Sequence, residues 1–311
     1  MPRFDVTIAG ELNLDLILYG LPEQLLPERE LLADRMMLTL GASSAIVAHN
    51  LAALGSRVGF QSRIGDDPMG QIALQRLHEG GVDVSLVRRK GGSITTGLTV
   101  ILHHETWRNI LTYSGTIAEL AWDDLDLNYL SDARHFHFSS YYLQTKLRPR
   151  VAELFQTLKS KGLTISLDTN DDPDDRWEDL QDLLRHVDVF LPNEREACKA
   201  ARTENVEAAI QRLSSLVPLV VVKLGRKGSL AQRGSERFVG AAKEVVAVDT
   251  VGAGDSFDAG FLHQWIRGAD LQRCLEFGNL AGALSTTRPG GTEAFRDAAH
   301  RDKFLREQAN K

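Results

Sequence analysis

Near its end the chain runs Asp249-Thr250-Val251-Gly252-Ala253-Gly254-Asp255, a short stretch carrying two glycines between two acids. The apolar run Val245–Val248 ahead of it reads as a strand, and the small and apolar residues of Ser256–Ile266 behind it read as a packed helix. Glycines at such a turn let the backbone approach a ligand closely, and the amides that open the next helix point outward with the positive end of its dipole. The result is a cradle for an anion. A carboxylate placed there, Asp255, repels a resting phosphate and so needs another role. In phosphoryl transfer to an alcohol, one group accepts the hydroxyl proton while amides and a metal stabilise charge on the moving group. Asp255 and the amides of 252–254 would divide those tasks. On spacing alone, a plain helix N-cap is an equally good reading of Asp255. Two rival nucleotide loops fail on inspection. Gly252-x-Gly254 has Phe257 where a dinucleotide fingerprint wants its third glycine, and Gly65–Gly70 leads into Gln71-Ile72 rather than Lys-Ser/Thr.

The elements that must hold this turn alternate. Phe4–Ala9 places apolar residues at 4, 6 and 8 and meets Gly10, a strand entering a turn. Ser43–Leu54 has a serine N-cap and stops at Gly55; Arg57–Ile64 is the next strand, and Pro68–His78 a helix that opens on proline. Thr95–Leu102 and Asn109–Tyr113 read as an antiparallel hairpin that interrupts the rhythm. It resumes with strand His135–Phe138, helix Arg148–Lys161, strand Thr164–Asp168, helix Trp177–Arg185, strand Val187–Leu191 and helix Val206–Leu216. Leu219–Val222 is a short continuous apolar run, expected at the centre of a parallel sheet and buried on both faces. A second hairpin covers Ser229–Val239, and two helices follow the long one after Asp255.

Composition bounds the partners. With 311 residues, 43% hydrophobic and 25% charged, the chain suits one large α/β unit rather than a disordered or fibrous protein. A net charge of -6 gives no long-range pull on a polyanion, so nucleic acid and anionic membrane are not expected partners. Cys198 and Cys274 lack metal-ligand spacing, the start MPRFDVTIAGELNLD suits neither a secretory nor a spanning segment, and a reducing cytoplasmic setting is expected.

The turn at 249–255, read with its surroundings, resembles the signature of the ribokinase-like (PfkB) carbohydrate kinases, D-T-x-G-A-G-D before a small-residue helix. GELNLD at 10–15, the Gly41 helix, IGDDPMG at 64–70, PNEREA at 192–197 and KLGRKGS at 223–229 resemble the family in the same order. The resemblance implies an α/β fold, a three-layer α/β/α sandwich with a mostly parallel central sheet. It implies one domain over 1–311 with a discontinuous β lid at approximately 12–41 and 89–116. The implied activity is ATP-dependent phosphorylation of a hydroxyl of a sugar or sugar-derived small molecule, with Asp255 as general base and Gly252, Ala253 and Gly254 forming the anion hole. Asn13, Asp15, Gly41, Ala42 and Ser43 are the implied sugar contacts, with Asp255. Asn193, Glu196, Lys223, Gly225, Gly228, Gly254 and Asn279 are the implied nucleotide contacts, although Asn193 and Glu194 could equally cap the helix they open. ATP and Mg2+ are the implied cofactors, with Glu196 reaching Mg2+ through water. K+ is a further candidate on Asp249 and the Val251 carbonyl, and a homodimer is expected through the lid. A nucleoside kinase of the same family and a non-catalytic sugar-binding relative are the alternatives; the latter often loses the base or a glycine that this chain keeps.

Departures from the family pattern concern the acceptor. Ile46 stands where many members have Asn, which weakens ribose-type recognition. SLDTNDDPDDRW at 166–177 resembles the D-x-N-x-R-x-x-x-W region of 2-keto-3-deoxygluconate kinases, but Asp172 sits near the expected Arg, so an acidic sugar lacks its cationic partner there. The same stretch imitates a calcium loop through Asp168, Asn170 and Asp172, but Pro173 replaces the required glycine and Asp179 the bidentate Glu. His103, His104, Trp107 and Arg108 lie at the lid tip, where a solvated loop and a substrate contact are both open. His135 and His137 are expected on opposite sides of their strand, in structural roles.

Overall fold

Strands dense in valine, isoleucine and phenylalanine have two faces to bury, and here a nine-stranded sheet buries both. The computed structural model describes residues 1–104 and 107–309. Its first half comprises β1 (Phe4–Ala9), β2 (Leu14–Tyr19), β3 (Arg35–Leu40), α1 (Ser43–Ala53), β4 (Val58–Gly65), α2 (Pro68–Glu79), β5 (Asp83–Lys90), β6 (Leu98–His103), β7 (Arg108–Tyr113) and α3 (Leu127–Ser131). Then come β8 (Ala133–Ser139), α4 (Val151–Ser160), β9 (Thr164–Asp168), α5 (Leu180–Leu184), β10 (Val189–Phe190), α6 (Glu194–Ala200), α7 (Val206–Leu213) and β11 (Leu219–Lys223). The chain closes with the hairpin β12 (Ser229–Arg233) and β13 (Glu236–Gly240), and with α8 (Ala253–Trp265), α9 (Leu271–Thr286), α10 (Glu293–Arg296) and α11 (Ala298–Ala309).

The large sheet has the order β13-β12-β11-β10-β9-β8-β1-β4-β5, parallel except for the β12–β13 hairpin. Val220 and Val222 enter the core layer with Phe136, Phe138 and Leu154; Leu219 and Val221 enter the opposite layer with Val6, Phe60 and Phe261. Alternation along one strand thus feeds both layers, and each such side chain contributes about 1.5–3 kcal/mol. The chain leaves β1 toward β4 and β5, then returns to build β8 to β11 on the other side. The carboxyl ends of β1 and β8 diverge at this reversal, where α/β sheets open their ligand crevice.

Several sequence expectations are corrected. Leu219–Val222 is buried on both faces but lies third from an edge; β9 is the central strand, because the β12–β13 hairpin extends the sheet beyond β11. Val245–Val248 is not a strand: that hairpin occupies the free side of β11, Val246 is 91% exposed, and the Val248 amide donates to Thr286 O at the end of α9. Three helices rather than two follow α8. His135 and His137 share a face, as residues two apart on a strand must, and both reach the Ser166 hydroxyl, at 2.7 and 2.8 Å. Burial lowers their pKa values to about 4 and about 3, which keeps both rings neutral and structural.

A second sheet, β3-β2-β6-β7, stands over the crevice; β2 and β6 run parallel and the outer pairs antiparallel. Register makes its inner face three cross-strand rows. Thr39, Asp15, Thr99 and Thr112 form the row nearest the hinge; Met37, Ile17, Ile101 and Ile110 the middle one; Arg35, Tyr19, His103 and Arg108 the far one. Among the described residues no helix is long and apolar enough to cross a membrane.

Candidate active site

Side chains gather where the parallel strands end. Lys223 closes β11, Asp168 closes β9, Asn193 follows β10, Ser139 and Ser140 end β8, and Glu11 and Asn13 follow β1. The turn 249–255 faces them from above the crevice. Gly252, with φ 71°, is the left-handed N-cap of α8, and a Cβ there would come within 2.5 Å of Gly291 Cα. The Ala253 amide is spent on Thr250 O at 3.3 Å, whereas those of Gly252, Gly254 and Asp255 have no hydrogen-bond partner among the described residues. Those are the donors left for an anion. Asp249 anchors the turn from below: Oδ1 accepts from the Val251 amide at 3.0 Å, and Oδ2 from Gly290 N at 3.1 Å and the Tyr19 hydroxyl at 2.7 Å. Tyr19 therefore clasps the lid to the turn.

Asp255 lies in the first turn of α8 and is only 9% exposed. Burial raises its pKa to about 6; the Asp168 charge adds to the shift, and Lys223 and the Ser43 hydroxyl oppose it. One helical turn on, Asp258 meets Lys223, whose Nζ lies 2.7 Å from Asp168 Oδ2 and 3.1 Å from Asp258 Oδ2. Burial pushes the Asp258 carboxyl well up, and Lys223 only partly offsets it. Burial pushes Asp168 up as well but loses to Lys223, which holds that carboxylate below its usual range. Burial also opposes the Lys223 ammonium, but Asp168 and Asp258 keep it charged. Its Nζ sits 3.6 Å from where a Cβ at Gly254 would lie, so this charge borders the open amides.

On the lid side, burial raises Asp15 to about 7, with Asp255 and Asp249 adding and Arg108 opposing. A Cβ at Gly41 would overlap the Asp15 carboxylate, which explains glycine there. Asn13 is buried, its Nδ2 donating to Leu14 O at 3.0 Å and Thr99 Oγ1 at 3.4 Å. Ala42, with φ 66°, caps α1 without a side-chain bond, and Ser43 accepts from Asn170 Nδ2 at 2.8 Å. Asn170 also binds Ser140, so it ties this loop to β8. Ile46 packs against Gly291 and Gly252 at the base of the turn, filling with hydrocarbon the position where an amide was expected.

On the other flank, Asn193 Oδ1 accepts from Glu196 N at 2.9 Å and Glu196 Oε2 accepts from Asn193 N at 2.8 Å: a capping box that opens α6. Glu196 is buried; burial first and Asp168 second raise it to about 8. Gly225 and Gly228 turn the chain from β11 into β12 with φ 59° and 91°, and Asn279 donates to Ser229 Oγ at 2.8 Å beside them. Asp172, near the expected Arg, accepts bonds from the amides of Asp174, Arg176 and Trp177 and organises its own loop. A surface groove of about 870 Å³ lies apart from this centre, between Asp175–Trp177 and the outer side of α6. Its Asp175 is paired with Arg195 and Lys199.

Sequence reasoning did not place Asp258, Glu11, Asn170 or Tyr19 in the site. For Asp258 a signal existed: its spacing from Asp255 puts both carboxyls on one face of the helix. Glu11 lay inside the quoted GELNLD; it accepts from Ser44 N at 3.1 Å and Ser44 Oγ at 2.7 Å. Tyr19 carried no signal, because its partner is 230 residues away.

The pattern of the pfkB family carbohydrate kinases matches residues 4–298. An ATP-dependent ribose-1-phosphate kinase from Halopiger xanaduensis is 30% identical over 254 residues, covering 82% of each chain. A 2-dehydro-3-deoxygluconokinase from Bacillus subtilis is 29% identical over 283 residues, covering 86% of this chain and 87% of its own. Among solved structures, Arabidopsis thaliana ribokinase complexed with ribose and ATP superposes with a TM-score of 0.80 at 23% identity, covering 97% of this chain and 99% of that one, a likeness of fold.

Proposed function

The chain belongs to the pfkB family of carbohydrate kinases and is an ATP-dependent sugar kinase; on that premise we propose that Asp255 deprotonates the accepting hydroxyl while the turn 252–255 receives charge on the moving phosphoryl group. The observation that carries this is a buried aspartate, poised near neutrality, beside open amides at a helix start. Asn13, Asp15 and the loop Gly41–Ser43 hold the sugar; Asp15 can accept from two hydroxyls. ATP lies along Lys223–Gly228 and Asn279, with its reacting end toward Gly254 and Lys223. Glu196 suits Mg2+ held through water, because a buried carboxyl raised to about 8 ionises readily only beside a cation. Mg2+ bound there neutralises phosphate charge. Asp249 Oδ1 accepts a single bond, so one lone pair remains for K+ with the Val251 carbonyl.

The test is an ATP-consumption screen over sugars, sugar acids, sugar phosphates and nucleosides, run in K+ and again in a large organic cation. Turnover of one sugar class, falling without K+, is the expected outcome. Turnover of nucleosides alone would redirect the acceptor assignment, and equal rates in both salts would remove the K+ site.

We read the chain as one kinase unit whose lid also joins two copies, in the cytoplasm, where Cys198 and Cys274 stay free thiols. The outer lid face supports the pairing: it presents Leu16, Leu18, Met36, Val100, Leu102 and Leu111, with Met36 64% and Leu111 54% exposed. Light scattering should give twice the chain mass, and Leu111→Asp with Leu102→Asp should give the mass of one chain. A wild-type monomer at micromolar concentration would exclude the lid dimer.

A further inference from the structure

Phosphoryl transfer leaves unused the far inner row of the lid, where Arg35, Tyr19, His103 and Arg108 lie side by side across β3, β2, β6 and β7. Tyr19 fixes which way the row faces, because its hydroxyl reaches Asp249 of the catalytic turn. The Arg35 guanidinium carbon sits 4.2 Å over the Tyr19 ring, and the His103 ring lies 5.1 Å from it. Arg108 Nη1 donates to Thr250 Oγ1 at 3.2 Å, and its charge acts on Asp15. Arg108 thus stands between the sugar-binding carboxylate and the turn. Thr250 is a neutral acceptor that takes one bond, whereas a guanidinium carries five donors in a fork suited to carboxylate or phosphate. Packing on Tyr19 accounts for Arg35; it does not account for Arg108.

Charge and reach point the same way. Asp15 feels the charges of Asp255 and Asp249, and Asp255 those of Asp168 and Glu11, so without a cation on the lid an anionic acceptor would be repelled. The far row is four residues along β2 from the Asp15 row, or roughly 13 Å at 3.3 Å per residue. An arginine side chain folding back covers about half of that, and a five- or six-carbon acceptor the rest. We infer that the acceptor carries an anionic group, a phosphate monoester or a carboxylate, which Arg108 and Arg35 bind on the inner face of the lid, remote from the hydroxyl that Asp255 deprotonates. The cationic partner missing from 166–177 is supplied by the lid.

This rests on the kinase reading, so binding and turnover are measured separately. Pentoses and hexoses are compared with their phosphate monoesters and sugar acids, by calorimetry and by ATP consumption, in the wild type, Arg108→Ala, Arg35→Ala and Arg108→Lys. The expected result is an anionic acceptor with kcat/KM about 10²-fold above its neutral counterpart. Arg108→Ala should erase most of that preference through KM, and Arg108→Lys should restore part of it. The phosphate and carboxylate arms identify which anion is read. A neutral sugar as best acceptor, or Arg108→Ala weakening neutral and anionic sugars equally, would overturn the inference, as would calorimetry in which no anion binds better than its neutral counterpart. Anion binding lost in Arg108→Ala but with no ATP consumed would uphold the lid site and refute the kinase reading instead.

Discussion

Asp255→Asn lowers turnover by roughly 10²- to 10⁴-fold and raises thermal stability at neutral pH. The amide keeps the shape and cannot accept the hydroxyl proton, while the open amides and Lys223 remain to bind phosphate. In the wild type, kcat/KM should rise with pH through a limb near about 6, the value to which burial lifts Asp255; the variant's residual rate should lack that limb. The stability gain follows from the same shift. A carboxyl held at about 6 when folded and near 3.8 when unfolded stabilises the fold below the lower value and loses that contribution as pH rises through the upper. At pH 7.5 the ionised, buried Asp255 thus costs on the order of 2–3 kcal/mol, which Asn does not. Wild type and variant should melt alike below about pH 4 and diverge above 6. Near-normal turnover would remove Asp255 from catalysis. A variant less stable than the wild type at pH 7.5 would show that its surroundings favour the charge.

Lys223→Met should cost about 3–5 kcal/mol of folding stability, because it strands Asp168 and Asp258 in a site that buries both. With the ammonium gone, the folded-state pKa of Asp168 rises above its unfolded one, and that of Asp258, raised already, climbs further. The loss should therefore be mild at pH 5 and grow toward pH 8, as measured by urea unfolding across that range. Adding Asp168→Asn and Asp258→Asn to Lys223→Met should recover most of the stability, since no buried charge then remains unpaired. Kinetics carry a second signature. Lys223 lowers the Asp255 pKa, so its removal should move the rising limb of kcat/KM to higher pH. A Lys223→Met protein as stable as the wild type at pH 8, or a triple variant no better than the single one, would show that Lys223 does not compensate the Asp168 and Asp258 charges.

Much of the fold was readable because its signals are local. Phe4–Ala9 and Thr164–Asp168 were located to the residue by alternation and apolar runs, and α2 by the proline at its first position, with Asp67 accepting from Gly70 N. Where a segment's neighbours decide its state, local reading failed. Val245–Val248 has the β-branched composition of a strand but joins no sheet, because the β12–β13 hairpin already pairs with β11, and β5, with half-exposed alternation and four charges in eight residues, was not foreseen. The error over His135 and His137 was geometric, since a period of two returns a side chain to its own face.

By itself the sequence determined the turn chemistry, for glycines at 252 and 254 beside Asp255 are properties of adjacent residues, and adjacency is what a chain records. It also determined the layered α/β order, since periodicity is written within each element. Tertiary structure alone decided which charges meet. Asp168, Lys223 and Asp258 come from three elements, Tyr19 reaches Asp249 across 230 residues, and Arg35 and Arg108 share a row only through strand register. Electrostatic energy depends on separation in space and on exclusion of water, and neither is set until the chain has folded.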